Sequence, residues 1–359
     1  MTAGSSLDSP FIAGPMIRNP RLFIGRQEVL QQLANYTNDP PSRNVNVVGE
    51  PHIGKSSLLY HFFQTWEQRV TAASHYGVIY LSLQESRCQT ETGLYRTIAQ
   101  ELIGRPVIQT NSALLEPFQV KPFDRAAFSA AMKHWQQQGV LPVLCLDEFE
   151  ALFCDRTQFN NAFYNTLQEL IELNAIVTIV ASQQPLNFYS QQYQLASSFF
   201  SQSCTLTLTP FSQAESLELV RLSAPSATVS NPTAQPILQP EHQQLALEWG
   251  KQHPHLLQLA ASLLYQAQHQ QQGTHWAKTQ FLAATSQFKK TQLTPKAEEI
   301  STPEKNSSAP QQNKKIARWQ QWSLGLGIVA LTIVLLLGLI APEKTRKFFE
   351  TLNPVPGQN

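Results

Sequence analysis

The sequence predicts an α/β fold. A five-stranded parallel sheet carries helices on both faces, and a small helical lid subdomain, a polar tether and one apolar C-terminal helix follow it. Three observations carry this prediction. Short runs rich in Val, Ile, Leu and Thr alternate with helix-period segments over the first 210 residues. The first of these runs ends in a glycine-bearing loop that opens a helix. Finally, no Asp, Glu, Lys or Arg occurs from residue 319 to residue 342.

The strands come in order at residues 44–48 (NVNVV), 76–83 (YGVIYLSL), 140–146 (VLPVLCL), 175–181 (AIVTIVA) and 204–208 (CTLTL). Several are continuous apolar runs, as expected where helices cover both faces of a sheet. Helices are expected between them at 55–69, 92–103, 124–138 and 158–173, with Asp124 as an N-cap and Gly139 as a stop. Residues 104–122 read as a long connection. Beyond Pro210 the strand signal fades, and helices are expected at 211–222, 241–249 and 255–269, with a proline-rich loop at 223–240.

The chain has 359 residues, enough for about two domains. Its net charge of +1 hides a division: ten basic and five acidic residues lie from Lys289 onward, leaving 16 and 20 in the first 288. A mildly acidic body argues against nucleic acid as a partner, because backbone binding needs a patch that neutralises many phosphates. The four cysteines are scattered without a Cys-x-x-Cys pair, which argues against a zinc site or a disulfide framework. The first 20 residues lack the charged start and apolar run of a secretory signal.

The uncharged run holds an apolar stretch at 322–341, whose 20 residues span roughly 30 Å as a helix. Lys314, Lys315 and Arg318 precede it, Lys344, Arg346 and Lys347 follow it, and Trp319 and Trp322 stand where interfacial aromatics belong. A single-pass membrane anchor is expected. Flanking charge does not choose its direction; the missing export signal and the nucleotide site below put the body in the cytoplasm. Residues 291–317 are polar and proline-bearing, and read as a tether. The expected organisation is an N-terminal extension (1–19), a core (20–210), a helical lid (211–290), the tether (291–317), the transmembrane helix (318–342) and a short tail (343–359).

The chemistry lies at two strand ends. Gly49-Glu50-Pro51-His52-Ile53-Gly54-Lys55-Ser56-Ser57 fits G-x-x-x-x-G-K-[ST] between a strand and a helix, the setting of a phosphate-binding loop. Its glycines let backbone N–H groups turn toward phosphate oxygens, and the helix N-terminus adds positive charge. Lys55 would reach the β- and γ-phosphates of ATP, and Ser56 would take one Mg²⁺ position. About 90 residues on, Leu144-Cys145-Leu146 delivers Asp147, which can hold the metal through water, and Glu148, which can orient the attacking water. Glu150 reads as a surface residue. Ser182, Gln183 and Gln184 stand at the end of the fourth strand, and one of them, with Ser182 favoured, would approach the γ-phosphate if that strand neighbours the first. His253 and His255 read as a turn at a helix start.

Three features together resemble the AAA-like, signal-transduction (STAND) class of P-loop ATPases, near the branch shared with origin-recognition ATPases and MalT- or NACHT-type switches. Phe23-Ile24-Gly25-Arg26, followed by Glu28 and Leu33, looks like the group's F-x-G-R-x-x-E-L opening. The loop and Asp147-Glu148-Phe149-Glu150 are similar to its Walker motifs. Residues 249–257 (WGKQHPHLL) look like the G-G-H-P-x-L-L-Q turn of its lid, with Gln252 where the group often has glycine. The likeness covers residues 20–288. It implies that Gly25 and Arg26 border the nucleotide, that Ser182 is a polar sensor and that His253 and Pro254 close the lid. Arg156 and Arg221 are arginine-finger candidates by position alone.

The expected function is a membrane-anchored, ATP-binding switch that hydrolyses slowly and couples nucleotide state to assembly, including homo-oligomers, or to a protein partner whose identity the sequence does not give. A mechanical ATPase acting on protein at the membrane would need a ring and an arginine finger. An origin-recognition-like, DNA-associated ATPase would need a basic recognition helix after the lid.

Overall fold

Strands covered on both faces need no alternation of polar and apolar residues, and this sheet follows that rule except at one edge. The computed structural model describes residues 9–38, 44–109, 111–223 and 236–293. Within them β1 (Asn44–Val48), β2 (Tyr76–Ser82), β3 (Leu141–Asp147), β4 (Val177–Ser182) and β5 (Cys204–Thr207) form one sheet in the order β2-β3-β4-β1-β5, every pair parallel. Every residue of β1 and β4 is buried, while Thr205 and Thr207 of the edge strand β5 are exposed.

The helices are α1 (Gln27–Asn38), α2 (Lys55–Thr65), α3 (Glu91–Ile103), the single turns α4 (Pro106–Gln109) and α5 (Ser112–Leu115), α6 (Arg125–Gln137), α7 (Asn161–Glu172) and α8 (Leu186–Tyr193). The lid follows as α9 (Gln213–Val220), α10 (Pro240–Gly250), α11 (Pro254–His269) and α12 (Thr274–Leu293). On one sheet face Tyr95, Phe128, Trp135 and Phe163 bury against Ile79, Leu144 and Val180. On the other, Leu30, Leu58 and Phe62 of α1 and α2 cover Val45, Val47 and Val143. Each such side chain contributes roughly 1.5–3 kcal/mol by leaving water.

Local signals set the helix ends. The Asp124 carboxylate accepts from Ala127 N at 3.0 Å and caps α6 as expected, and Gly139 follows it at φ +73°. Asn160 caps α7, and Ser212 with Glu215 forms a reciprocal capping box on α9.

Several expectations shift. The expected helix 55–69 is α-helical only to Thr65 and finishes as a 3₁₀ turn, Trp66–Arg69. The connection at 104–122 contains α4, α5 and a further 3₁₀ turn, pinned by buried Ile108 and Leu114. α12 was not expected as an element, yet its Ala277 and Phe281 complete a third core with Leu219, Ala246, Leu257 and Leu264. Phe11, from the N-terminal extension, is buried in that same lid core. Residues 1–294 make one compact unit. Among the described residues no helix is long and apolar enough to cross a membrane. The expected span at 318–342, the tail and nearly all of the tether lie outside the described residues.

Candidate active site

β1 delivers the chain into a tight loop. A Cβ at Gly49 would lie 2.8 Å from Ile53 Cγ2 and 3.2 Å from the Leu208 carbonyl, so only glycine lets the loop wrap over the fully buried Ile53. Gly54, at φ +101°, turns the chain into α2 as an N-cap without a side-chain hydrogen bond. Among the described residues the first-turn amides of α2 have no side-chain acceptor, and Gly54, Lys55, Ser56 and Ser57 line a cavity of about 560 Å³. An uncapped helix N-terminus at a cavity wall favours an anion. Lys55 Nζ donates to the carbonyls of Gly49 at 2.6 Å and Glu50 at 3.0 Å. Burial lowers the Lys55 pKa, against the opposing pull of Glu150, Asp147 and Glu50.

β3 delivers the carboxylates to the same cavity. Asp147 is 3% exposed; Oδ2 accepts from the Tyr80 hydroxyl at 2.8 Å and Oδ1 from the Glu148 amide at 3.0 Å. Glu148 takes the left-handed conformation at φ 57°, rare for a residue with a side chain, and its Oε2 accepts from the Ser82 hydroxyl at 2.6 Å. Tyr80 and Ser82 are alternate residues of β2, so one strand orients both carboxylates. Burial and the Asp147 carboxylate drive the Tyr80 pKa far upward and keep its hydroxyl a donor.

The structure brings Pro51, His52, Gly54, Lys55, Ser56, Ser57, Asp147, Glu148 and Pro254 together around the cavity. Gly49, Glu50 and Ile53 shape the loop from behind. Ser182 it does not bring in: the side chain is 1% exposed, accepting from Asn46 Nδ2 and donating to the Gln184 carbonyl, both at 2.7 Å. Its neighbour Gln183 lines the cavity instead. Gly25 and Arg26 also lie outside the lining. Arg26 is 8% exposed, donates from Nη2 to the Thr209 carbonyl at 2.6 Å and stacks on Phe211, while its amide donates to Glu215 Oε1 at 2.6 Å. It fastens the start of the lid to the core.

Glu150 is not the surface residue expected. It lines the cavity, and its carboxylate accepts from the Tyr189 hydroxyl at 2.8 Å and from the Gln183 amide. His253 is the N-cap of α11 and Pro254 its first residue, as the turn reading expects. His253 Nε2 lies 3.4 Å from Glu50 Oε1, and the His255 ring is 5.0 Å from that of His52. Burial, then His52 and His253, lower the His255 pKa to about 4. Arg156 stacks on Tyr193 and Arg221 ends α9; neither lines the cavity.

Sequence reasoning missed Tyr80, Ser82 and the segment Ile12–Arg18, which forms one side of the cavity, and it placed Gln183 behind Ser182 as a candidate. Only strand register could have shown the first two, since Ser82 pairs with Asp147 across β2 and β3. Among the described residues no group of three or more His, Cys, Asp and Glu side chains has metal-holding geometry. The donors that fit Mg²⁺ are the Ser56 hydroxyl and the Asp147 carboxylate, which line the same cavity, a sparse oxygen set of the kind completed by phosphate and water.

Residues 41–189 match the family model described as AAA domain. The match covers the segment that holds β1 to β4 and the loop at 49–57. Among solved structures, the chain is similar to the Walker-type ATPase of Pyrococcus abyssi, with 15% identity, 79% of this chain and 78% of that one covered, and a TM-score of 0.53. It also resembles the Aeropyrum pernix ORC2 protein in its ADPNP-ADP complexes, with 13% identity, 76% and 70% covered, and a TM-score of 0.47. At such identity the first likeness is one of fold. No curated protein matches the chain. The order β2-β3-β4-β1-β5 sets the loop at 49–57, which follows β1, one strand away from Asp147, across β4.

Proposed function

We propose that this protein is an ATP-binding switch that hydrolyses ATP slowly and couples nucleotide state to assembly or to a protein partner, held at a membrane by residues 322–341 with its body in the cytoplasm. The observation that carries the nucleotide part is the meeting of Lys55, Ser56, Asp147 and Glu148 around one cavity of about 560 Å³ that Pro254 and His255 of the lid also line. The first-turn amides of α2 and Lys55 would bind the phosphates. Ser82 holds the Glu148 carboxylate, which would orient the attacking water, and Mg²⁺ on Ser56 and Asp147 would neutralise phosphate charge. The slow rate is inferred from the lack of an arginine supplied in trans, since neither finger candidate, Arg156 or Arg221, lines the cavity. The membrane part rests on the uncharged run and its flanking tryptophans alone. The expectation against nucleic acid rests on the charge of the body alone.

Two variants test the reading. Lys55→Ala should weaken ATP binding tenfold or more, about 1.4 kcal/mol, by calorimetry. Glu148→Gln should keep ATP binding and lower hydrolysis by about 10²-fold or more. Wild-type affinity in the first variant would remove the nucleotide assignment. A wild-type rate in the second would place water activation elsewhere.

A further inference from the structure

The N-terminal segment is fastened at both ends across the cavity. At one end the Phe11 ring is buried in the lid core beside Tyr265, and the Ile12 amide donates to Gln258 Oε1 of α11 at 2.9 Å. At the other, the Ile17 amide donates to the Ser57 hydroxyl of α2 at 3.0 Å, and Met16 Sδ lies 3.3 Å from the Tyr80 hydroxyl that holds Asp147. Gln258 is 6% exposed, so its amide is a built anchor and not a surface contact.

This strap carries Arg18 to the cavity. Among the described residues, two cations line it, Lys55 and Arg18, against four carboxylates, those of Glu85, Asp147, Glu148 and Glu150. Lys55 is turned onto its own loop carbonyls. The Arg18 guanidinium lies 5.4 Å from the centre of the Tyr60 ring and forms no ion pair among the described residues. Its charge acts on Tyr80, and so on the Asp147 end of the cavity. A triphosphate entering a site so rich in carboxylates needs cations beyond one lysine and a metal. A guanidinium, planar and always charged, suits phosphate oxygens.

We propose that Arg18, delivered by the strap Phe11–Arg18, is the second protein cation of the triphosphate site, supplied in cis and acting on the terminal phosphate. The inference rests on the nucleotide reading of the same cavity. It gives the chain its phosphate-facing arginine on the N-terminal segment, and it makes that contact depend on the lid, because Phe11 and Gln258 hold the strap.

The test compares ATPγS with ADP by calorimetry on the full-length protein. Arg18→Ala should weaken ATPγS about tenfold and ADP less than threefold, and Arg18→Lys should recover most of the ATPγS affinity. Phe11→Ala, whose ring lies outside the cavity, should reproduce the ATPγS-selective loss by releasing the strap. If Arg18→Ala weakens both nucleotides equally, Arg18 only fastens the strap through Tyr60 and the proposal is overturned. It is equally overturned if Arg18→Ala binds ATPγS as wild type does while Lys55→Ala does not; that pattern leaves the nucleotide reading standing. A wild-type protein that binds neither ligand overturns both.

Discussion

At the scale of single residues, the lid meets the phosphate-binding loop through histidines. His255 lies against His52, with His253, Glu50, Lys55 and Arg26 as the charged and titratable groups nearby. Burial first, then the neighbouring histidines, holds His255 at about 4, whereas an unfolded chain gives about 6.5. The unfolded state therefore binds the extra proton across that window, so stability is fully present above pH 6.5 and is lost as pH falls toward 4. His255→Gln should flatten this slope, by less than the full shift implies because the ring is part-exposed, read as the change in the unfolding free energy from urea titrations at pH 7.5 and 4.5. Equal slopes in the two proteins would show that the His255 proton is indifferent to folding. The loop, Asp147 and Glu148 were legible in sequence because each follows a strand within one or two residues. Ser182 misled because its hydroxyl is taken by Asn46, 136 residues away, a partner that exists only once β1 and β4 lie side by side.

At the scale of elements, the strands were readable because burial on both faces writes them as unbroken apolar runs. The strap was not, since neither periodicity nor capping marks it and every anchor is tertiary. α12 escaped for another reason: its threonines, glutamines and lysines dilute the apolar stripe that Ala277 and Phe281 present to the lid. Gly250 shows how a motif glycine acts through packing. A Cβ there would meet the Leu257 backbone, Cα at 2.6 Å and N at 2.7 Å, where α10 passes the first turn of α11. Gly250→Ala should cost about 1–3 kcal/mol by forcing the two helices apart. Hydrogen exchange should quicken in α10 and α11 while the sheet stays protected. Unchanged exchange in the lid would show that the turn yields without cost. Strand register is guarded as well. Asn44 and Asn46 are buried in β1 and bonded to Phe199, Thr178, Ser182 and Leu186, so a two-residue slip would leave both amides unmatched.

At the scale of the whole molecule, the proposed anchor and the compact unit of residues 1–294 divide the chain. Added protease on intact cells should remove a tag placed after Asn359 and leave the body whole. Digestion of the body with protection of the tag would reverse the proposed topology. A chain ending at Thr294 should leave the membrane fraction and still bind ATP, because every residue of the cavity precedes it. If it stayed with membranes, the body would have its own membrane contact.

The strand order also sets a timetable for synthesis. β1 is made first, yet its two neighbours in the sheet begin at residues 177 and 204. At roughly 5–20 residues per second, the first strand waits many seconds on the ribosome for either partner. Throughout that wait the GKS loop, although long since translated, has no sheet to hold it. Nucleotide could first be gripped only after β5 emerges, and the apolar run near residue 320 is made roughly 110 residues after that strand. On the proposed reading, the body's slow long-range pairing therefore has an interval of its own in which to close, before the membrane segment follows it from the ribosome.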